Sequence, residues 1–391
     1  MLPVTYLDYA ATTPMDPRVR AAVADAMAET YGNPSSLYAA GRVARAAVGT
    51  ARRQVASLIG ARAEEIFFTS GGSESDNWAL KGIALARRAA GLPCGIVTSA
   101  VEHPAVLRTC EYLEAQGFSI TRLPVDEEGI VAPAALAAVL EDASHSDEGS
   151  IGIVSVMMAN NEVGTIEPIA ELTAIAHAHG AVFHTDAVQA AGHIPIDVQA
   201  LGIDALSLTA HKFCGPKGVG ALYVRRGVAI DSFVHGGEQE RGLRAGTENV
   251  PGIVGLGCAA EIAVAELADE GERLKDLRQL LIERVQTISG CMLHQASDEA
   301  HRLPGTLNFG FEGVRHDALL IRLDRAGFAI SAGSACSAGS LEPSHVLAAM
   351  GVTAERAQEA VRVSMGRFTT REDVLAFAGA LALAVTAMRH P

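Results

Sequence analysis

Basic residues are in short supply. Lys and Arg number 31 against 45 Asp and Glu, a formal net charge of −14. Gripping nucleic acid through its phosphates needs the opposite balance, so direct nucleic-acid binding is not expected. No stretch approaches the ~18 uninterrupted apolar residues of a bilayer-spanning helix. The opening MLPVTYLDYAATT has no basic stretch followed by an apolar one. Neither a membrane span nor a secretory leader is therefore expected. The six cysteines, at 94, 110, 214, 258, 291 and 336, include no C-x-x-C pair, and no H-E-x-x-H occurs. The usual local signatures of zinc are thus missing. Six cysteines in 391 residues are also too few for a disulfide scaffold, so a reducing, cytoplasmic compartment is the expectation. Internal repeats and long linkers are absent too. Apolar residues are plentiful, 49% hydrophobic against 19% charged, enough for a sizeable core. At about 150 residues per domain, the length allows two or three domains.

Asp16-Pro17 reads as a helix start, with Asp as cap and Pro at the first helical position, running to about Thr30. A second helix is expected over 42–59, closed by Gly60. Short apolar runs then recur at 65–69, 95–99, 151–158, 181–185, 203–209 and 219–224, with helical patterns between several of them at 104–116, 133–141 and 168–179. Strands alternating with helices predict an α/β fold, a mostly parallel sheet wrapped by helices. Runs apolar on both faces suit such a covered sheet. After about residue 250 comes a long helical segment, 251–288, then strands near 305–309 and 360–364 and a closing helix near 370–389. The predicted organisation is a large domain over 15–255 and a smaller α+β domain from 1–14 and 256–391. Ligand sites in such sheets lie at the carboxyl ends of the strands.

Three strand ends carry chemistry. After 65–69 comes Ser70-Gly71-Gly72-Ser73-Glu74 and a helix: either a plain turn capped by Ser73, or backbone N–H groups that bind phosphate. After 181–185 comes Asp186, with Gln189 three residues on. That carboxylate is either a helix cap or the partner of a protonated ring nitrogen, because an unpaired buried carboxylate is costly. After 203–209 come Thr209, His211 and Lys212. Lys217 reads as a solvated loop lysine, whereas Lys212 sits where a desolvated, Schiff-base-forming lysine would. Phosphate cradle, pyridinium partner and Schiff-base lysine together are the requirements of pyridoxal 5'-phosphate (PLP).

Taken with YLDYAATTP (6–14), YGNPSS (31–36), FTSGGSESDN (68–77), EHPAV (102–106), NNEVGT (160–165), HTDAVQAAG (184–192), AHKFCGPKG (210–218), HGGEQERGLRAGTEN (235–249), SAGSACSAGSLEPSHVL (331–347) and VRVSMGRFT (361–369), the chain resembles the cysteine desulfurases of the NifS/IscS type, class-V aminotransferases of PLP fold-type I. The resemblance implies that Lys212 carries the cofactor covalently, Asp186 holds the pyridine nitrogen, and Gln189 and Asn161 contact the ring hydroxyl. It implies that His103 stacks on the ring and moves protons. Gly72, Ser73, Thr209 and His211 would bind the phosphate, and Thr247 that of a neighbouring subunit, so a homodimer is expected. Asn161 and Arg362 would bind L-cysteine, Arg362 by its carboxylate. Ser73 stands where many relatives have Thr, and Cys214 is assigned no role. His184 is expected to be a packed core histidine, and Arg241 and Arg244 could equally be dimer-interface ion pairs.

Cys336 lies in a stretch, 331–340, made only of small residues, with glycines at 333 and 339. Such a stretch has nothing to anchor it by apolar burial and suits a nucleophile that visits a buried site and leaves. The implied reaction turns L-cysteine into L-alanine and a persulfide on Cys336, with Lys212 as the base at Cα and the thiolate as the reactive form. No resident metal is expected, though Cys336 could ligate an iron–sulfur species transiently. The sulfur would go to an acceptor protein such as an iron–sulfur scaffold; tRNA thiolation and DNA sulfur modification are the alternatives. Another PLP lyase or aminotransferase of the same fold, or a non-catalytic scaffold, would not use a thiol there.

Overall fold

The computed structural model describes residues 4–144, 150–333 and 343–389. The chain opens with a two-residue strand, β1 (Thr5–Tyr6), that pairs in parallel with β11 (Phe328–Ala329). The main sheet holds β2 (Ile66–Thr69), β3 (Gly95–Ser99), β4 (Ile120–Leu123), β5 (Ile151–Ser155), β6 (Val182–Asp186), β7 (Ala205–Thr209) and β8 (Gly220–Val224), in the order β2-β8-β7-β6-β5-β3-β4. β8 runs antiparallel to both its neighbours, and the other pairings are parallel. The expectation of a mostly parallel, helix-wrapped sheet is thus met.

Both faces of this sheet are buried, which is why its strands read as continuous apolar runs. Ile96, Ile153 and Ala205 point into a core shared with Trp78, Leu80 and Ile83 of helix Gly72–Ala89 and with Val106 and Leu113 of helix Pro104–Ala115. Their chain neighbours Val97, Val154 and Leu206 point the other way, into a larger core with helices Ala39–Leu58 and Ile169–Ala178. The Asp16 carboxylate accepts from the Arg18 N–H at 2.8 Å with Pro17 opening the helix, as the sequence predicts.

A second, antiparallel sheet, β9 (Cys291–His294), β10 (Thr306–Phe311) and β12 (Ala360–Ser364), is ordered β12-β10-β9. It packs with helices His316–Arg325 and Arg371–Arg389 around Phe309, Phe311, Leu319, Val361 and Phe377. The 36-residue helix Val250–Val285 links the two cores. Its first half is apolar and long enough to cross a bilayer by composition. Here Ile253, Leu256 and Ala260 are packed against the larger core instead. Its second half, Leu274 to Val285, belongs to the core of the smaller sheet.

Candidate active site

The carboxyl ends of β2, β3, β5, β6 and β7 open onto one cavity of about 280 Å³. It is lined by Gly72, Ser73, His103, Asn161, Asp186, Gln189, Thr209, His211, Lys212 and Arg362, ten residues singled out from sequence. Thr247 is exposed on the loop before helix Val250–Val285 and lies outside this cavity. Cys336 lies outside the described residues.

The glycine-rich turn works differently from the sequence expectation in one respect. The helix cap is Gly71, and Ser73 is the second helical residue, exposed at the cavity mouth. A side-chain cap is replaced by Glu74, whose Oε2 accepts from the Ser70 N–H at 2.9 Å. The first-turn N–H groups are therefore left open to an anion, as phosphate binding requires. Gly72 has no room for a side chain, since a Cβ there would fall 2.5 Å from Val188 Cγ2. Glu74 also pairs with Arg244 at 2.8 Å, and Arg241 donates to the Ile66 carbonyl at 2.7 Å. Both arginines are thus engaged within the subunit.

Asp186 ends β6 and is 4% exposed, with Oδ1 accepting from the Val188 N–H at 2.8 Å. Burial raises its pKa, while His103, that N–H and Lys212 favour its charged form. Lys212 closes a short 3-10 turn after β7 and donates to the carbonyls of Ala10 and, at 3.0 Å, Ala11. Gln189 Nε2 donates to the Ala10 carbonyl at 2.9 Å. The N-terminal turn at Ala10 and Ala11 thus reaches the site, a role of backbone oxygens that no side-chain motif announces. His103 caps helix Pro104–Ala115, its Nδ1 accepting from the Ala105 N–H at 3.1 Å. The cap leaves Nε2 as the protonated nitrogen of the neutral ring and fixes the ring's orientation. Burial lowers the pKa of His103. Burial also pushes His211 down to about 4; its Nδ1 lies 3.2 Å from Thr12 Oγ1.

His184 is the core histidine the sequence implies. It is fully buried between the hydroxyls of Ser155 and Ser207, at 2.9 and 3.0 Å, and burial pushes it down to about 3.

Arg362, on β12, is 1% exposed. Nη1 donates to the carbonyls of Asn161 (2.7 Å) and Gly333 (2.8 Å), and Nη2 pairs with Asp8 at 2.7 Å. Nε has no partner among the described residues. Arg362 lines the cavity with Nη1 and Nη2 already engaged, so a substrate carboxylate would take the place of one of these partners. The flanks of the segment bearing Cys336 meet the same cavity. Gly333 is held by Arg362, Ser344 Oγ donates to Glu162 Oε2 at 2.6 Å, and His345 Nε2 lies 3.0 Å from the Glu102 carbonyl oxygen. Glu162 and His345 line the cavity and carry no motif signal apart from their neighbours.

Glu102 shapes the turn that presents His103. Its Oε1 accepts from the Ser99 hydroxyl (2.7 Å) and the Met157 N–H (2.8 Å), while Oε2 has no partner among the described residues. Burial pushes its pKa from 4.5 up to about 8. The folded protein thus keeps a proton that the unfolded chain releases, so stability falls as pH rises from about 4.5 to about 8. Glu102→Gln escapes this loss. Its stability relative to wild type is expected to climb by up to a few kcal/mol across that window and then level off. Urea melts at a series of pH values check it; a difference independent of pH would contradict it.

The residues fit PLP. A buried carboxylate faces the cavity for a ring nitrogen, an amine lies beside it, and open N–H groups stand at a helix start for a phosphate. The aminotransferase class-V model matches residues 5–377. The IscS cysteine desulfurase of Dictyoglomus turgidum is 50% identical over 370 residues, 94% of this chain and 91% of that protein. The chain belongs to the class-V aminotransferases, among their cysteine desulfurases. A solved NifS-like protein is 38% identical with a TM-score of 0.90, covering 98% of this chain and all, 100%, of that one. SspA, solved in complex with cysteine, is 34% identical with a TM-score of 0.79, covering 93% of this chain and 99% of that one. The resemblance read from the motifs is borne out over nearly the whole sequence, and with it PLP as the cofactor of this desulfurase.

Proposed function

We propose that the enzyme transfers the sulfur of L-cysteine to Cys336, releases L-alanine, and passes the sulfur to an acceptor protein, an iron–sulfur scaffold first among them. The observation that carries this is the convergence of Asp186, His103, Lys212 and Arg362 on one cavity, to which both described flanks of the Cys336 segment are tied. Cys336 follows Gly333 by three residues, a covalent reach of at most about 11 Å.

When bound, PLP supplies the electron sink that acidifies the substrate Cα–H and weakens its Cβ–S bond. Lys212 would hold the cofactor covalently, and its amine, once free, would take the Cα proton. Asp186 would pair with the ring nitrogen, His103 would stack on the ring and relay protons, and Gln189 and Asn161 would meet the ring hydroxyl. Gly72, Ser73, Thr209 and His211 would hold the phosphate. Arg362 grips the substrate carboxylate beside Asn161. The Cys336 thiolate attacks the substrate sulfur; the S–C bond breaks with its electron pair going to carbon, a proton is delivered to that carbon, and a second proton returned to Cα completes alanine. In this division the large unit, 15–255, carries the cofactor groups, and the remainder supplies Arg362 and Cys336.

The enzyme is further proposed to be a homodimer, with Thr247 serving the phosphate of the neighbouring subunit. Large apolar side chains stand free in one segment, Tyr31 at 80% and Leu37 at 82% exposed, as an interface would require. A cytoplasmic setting agrees with the five described cysteines, none of which is in a disulfide.

The test is the product. Cysteine should give alanine and, with a reductant, an equal amount of sulfide; a keto acid formed from an added amino donor would instead mark an aminotransferase. Arg362→Ala should weaken cysteine binding by about ten- to hundredfold, seen in KM more than in kcat. It should also lower stability by on the order of 3 kcal/mol, because Asp8 loses its partner. Unchanged KM and unchanged turnover would remove Arg362 from the substrate site.

A further inference from the structure

Asp76 has no part in the reaction as described. It sits in the second turn of helix Gly72–Ala89, is 1% exposed, and lines the same cavity. Donor atoms of Asp76, His103 and Asp186 lie within 4.8 Å of one another, and Asp76 Oδ1 has no hydrogen-bond partner among the described residues. Two carboxylates this close, shielded from water, cannot both be ionised without strong repulsion. One of them holds a proton.

The neighbours decide which. Asp186 accepts from the Val188 N–H, and the positive charge of Lys212 and the His103 imidazole face it. Besides Asp186 and His103, Asp76 meets, among the described residues, the Ser207 hydroxyl and His184, 3.9 Å away, which burial keeps neutral. Glu102 keeps its own proton up to about pH 8 and so leaves this choice to the groups around the two aspartates. Charge therefore settles on Asp186 and the proton on Asp76, whose pKa is raised well above the usual carboxylate value, mainly by burial.

We propose that Asp76 is a positioning residue: a neutral buried acid that offers its hydrogen to Asp186 and so keeps Asp186 an anion opposite the ring nitrogen of PLP. The proposal rests on the role assigned above to Asp186. Without that hydrogen, Asp186 becomes a stronger base and competes with the ring nitrogen for its proton. The ring is then held less tightly, and its electron-withdrawing form is less populated.

Three variants of the holoenzyme test it. Asp76→Asn is always neutral and keeps an N–H to donate, so its PLP dissociation constant should stay within about threefold of wild type. Asp76→Leu has similar volume and no hydrogen to offer. Its PLP affinity should fall about tenfold or more, and the pH at which the bound cofactor's absorption titrates should move. If Asp76→Asn loses as much affinity as Asp76→Leu, an ionised Asp76 is required and the proposal is wrong. If Asp76→Leu matches wild type, Asp76 does not act on the ring at all. Should Asp76→Leu fail to fold, the melting temperature of Asp76→Asn decides. It should gain on wild type as pH rises above the ordinary aspartate range, because only the wild type must keep a buried acid protonated; a constant offset overturns the proposal. Asp186→Ala separates this idea from the reading beneath it. Undiminished PLP affinity in that variant removes Asp186 from the ring nitrogen, whereas a fall there with an unaffected Asp76→Leu removes Asp76 alone.

Discussion

Lys212→Ala is expected to lower alanine formation from cysteine by about a thousandfold or more, the combined loss of a covalent attachment point and a positioned base. The fold should survive. Lys212 gives its hydrogens to two backbone carbonyls at the cavity wall, and one of these, Ala10, keeps the Gln189 amide as a partner at 2.9 Å. PLP should still be found with the variant, held by the cradle at Gly72 and by Asp186, but it should leave on dialysis. Borohydride treatment followed by peptide mapping checks the assignment. In the wild type the reduced cofactor belongs on the peptide containing Lys212, and in the variant on no lysine. A label on the neighbouring Lys217, which is exposed, would show that the wrong lysine has been chosen.

Cys336→Ala is expected to have the second largest effect, of a different kind. None of the groups assigned to the cofactor lies in 334–342, so PLP content and its covalent attachment should match wild type. Cysteine should still bind and alter the cofactor's absorption, because Arg362, Asn161 and Lys212 remain. Turnover should then stall, with alanine production reduced about a hundredfold or more, for want of a thiolate to accept the sulfur. Stability should change by less than about 0.5 kcal/mol, because the all-small sequence at 331–340 offers no large apolar neighbours to pack with. A structural cysteine predicts the reverse pattern, a lower melting temperature with turnover kept. Alanine formation and thermal midpoint measured on one preparation distinguish the two.

The site was legible wherever a polar residue follows an apolar strand run. Asp186, Lys212 and His103 all stand within four residues of the end of their strands, and strand ends are where a covered parallel sheet exposes its ligands. Asp76 was not legible in the same way. Within SESDN it looks like one more polar residue of a helix start, and only the packing of that helix against β6 and β7 shows that its carboxylate is enclosed. The carbonyls of Ala10 and Ala11 carry no side-chain signal at all, so their meeting with Lys212 across 201 or more positions of chain belongs to the tertiary fold. Among the elements, β4 at Ile120–Leu123 escaped because it is an edge strand, half-exposed, with Thr121 and Arg122 breaking the apolar run. β9 at Cys291–His294 escaped for the same reason, every residue being only partly buried. Helix Ala39–Leu58 begins three residues before the expected start, because Tyr38, which offers no side-chain cap, precedes it.

The most direct test of the account is to follow the sulfur. The holoenzyme is mixed with one equivalent of cysteine labelled in its sulfur, in the absence of reductant, then alkylated, digested and mapped by mass spectrometry. The account predicts that the peptide bearing Cys336 carries one additional labelled sulfur atom, matched mole for mole by alanine, and that peptides bearing Cys94, Cys110, Cys214, Cys258 and Cys291 carry none. Labelled sulfur on one of those cysteines, or alanine formed with no sulfur retained on Cys336, would contradict it.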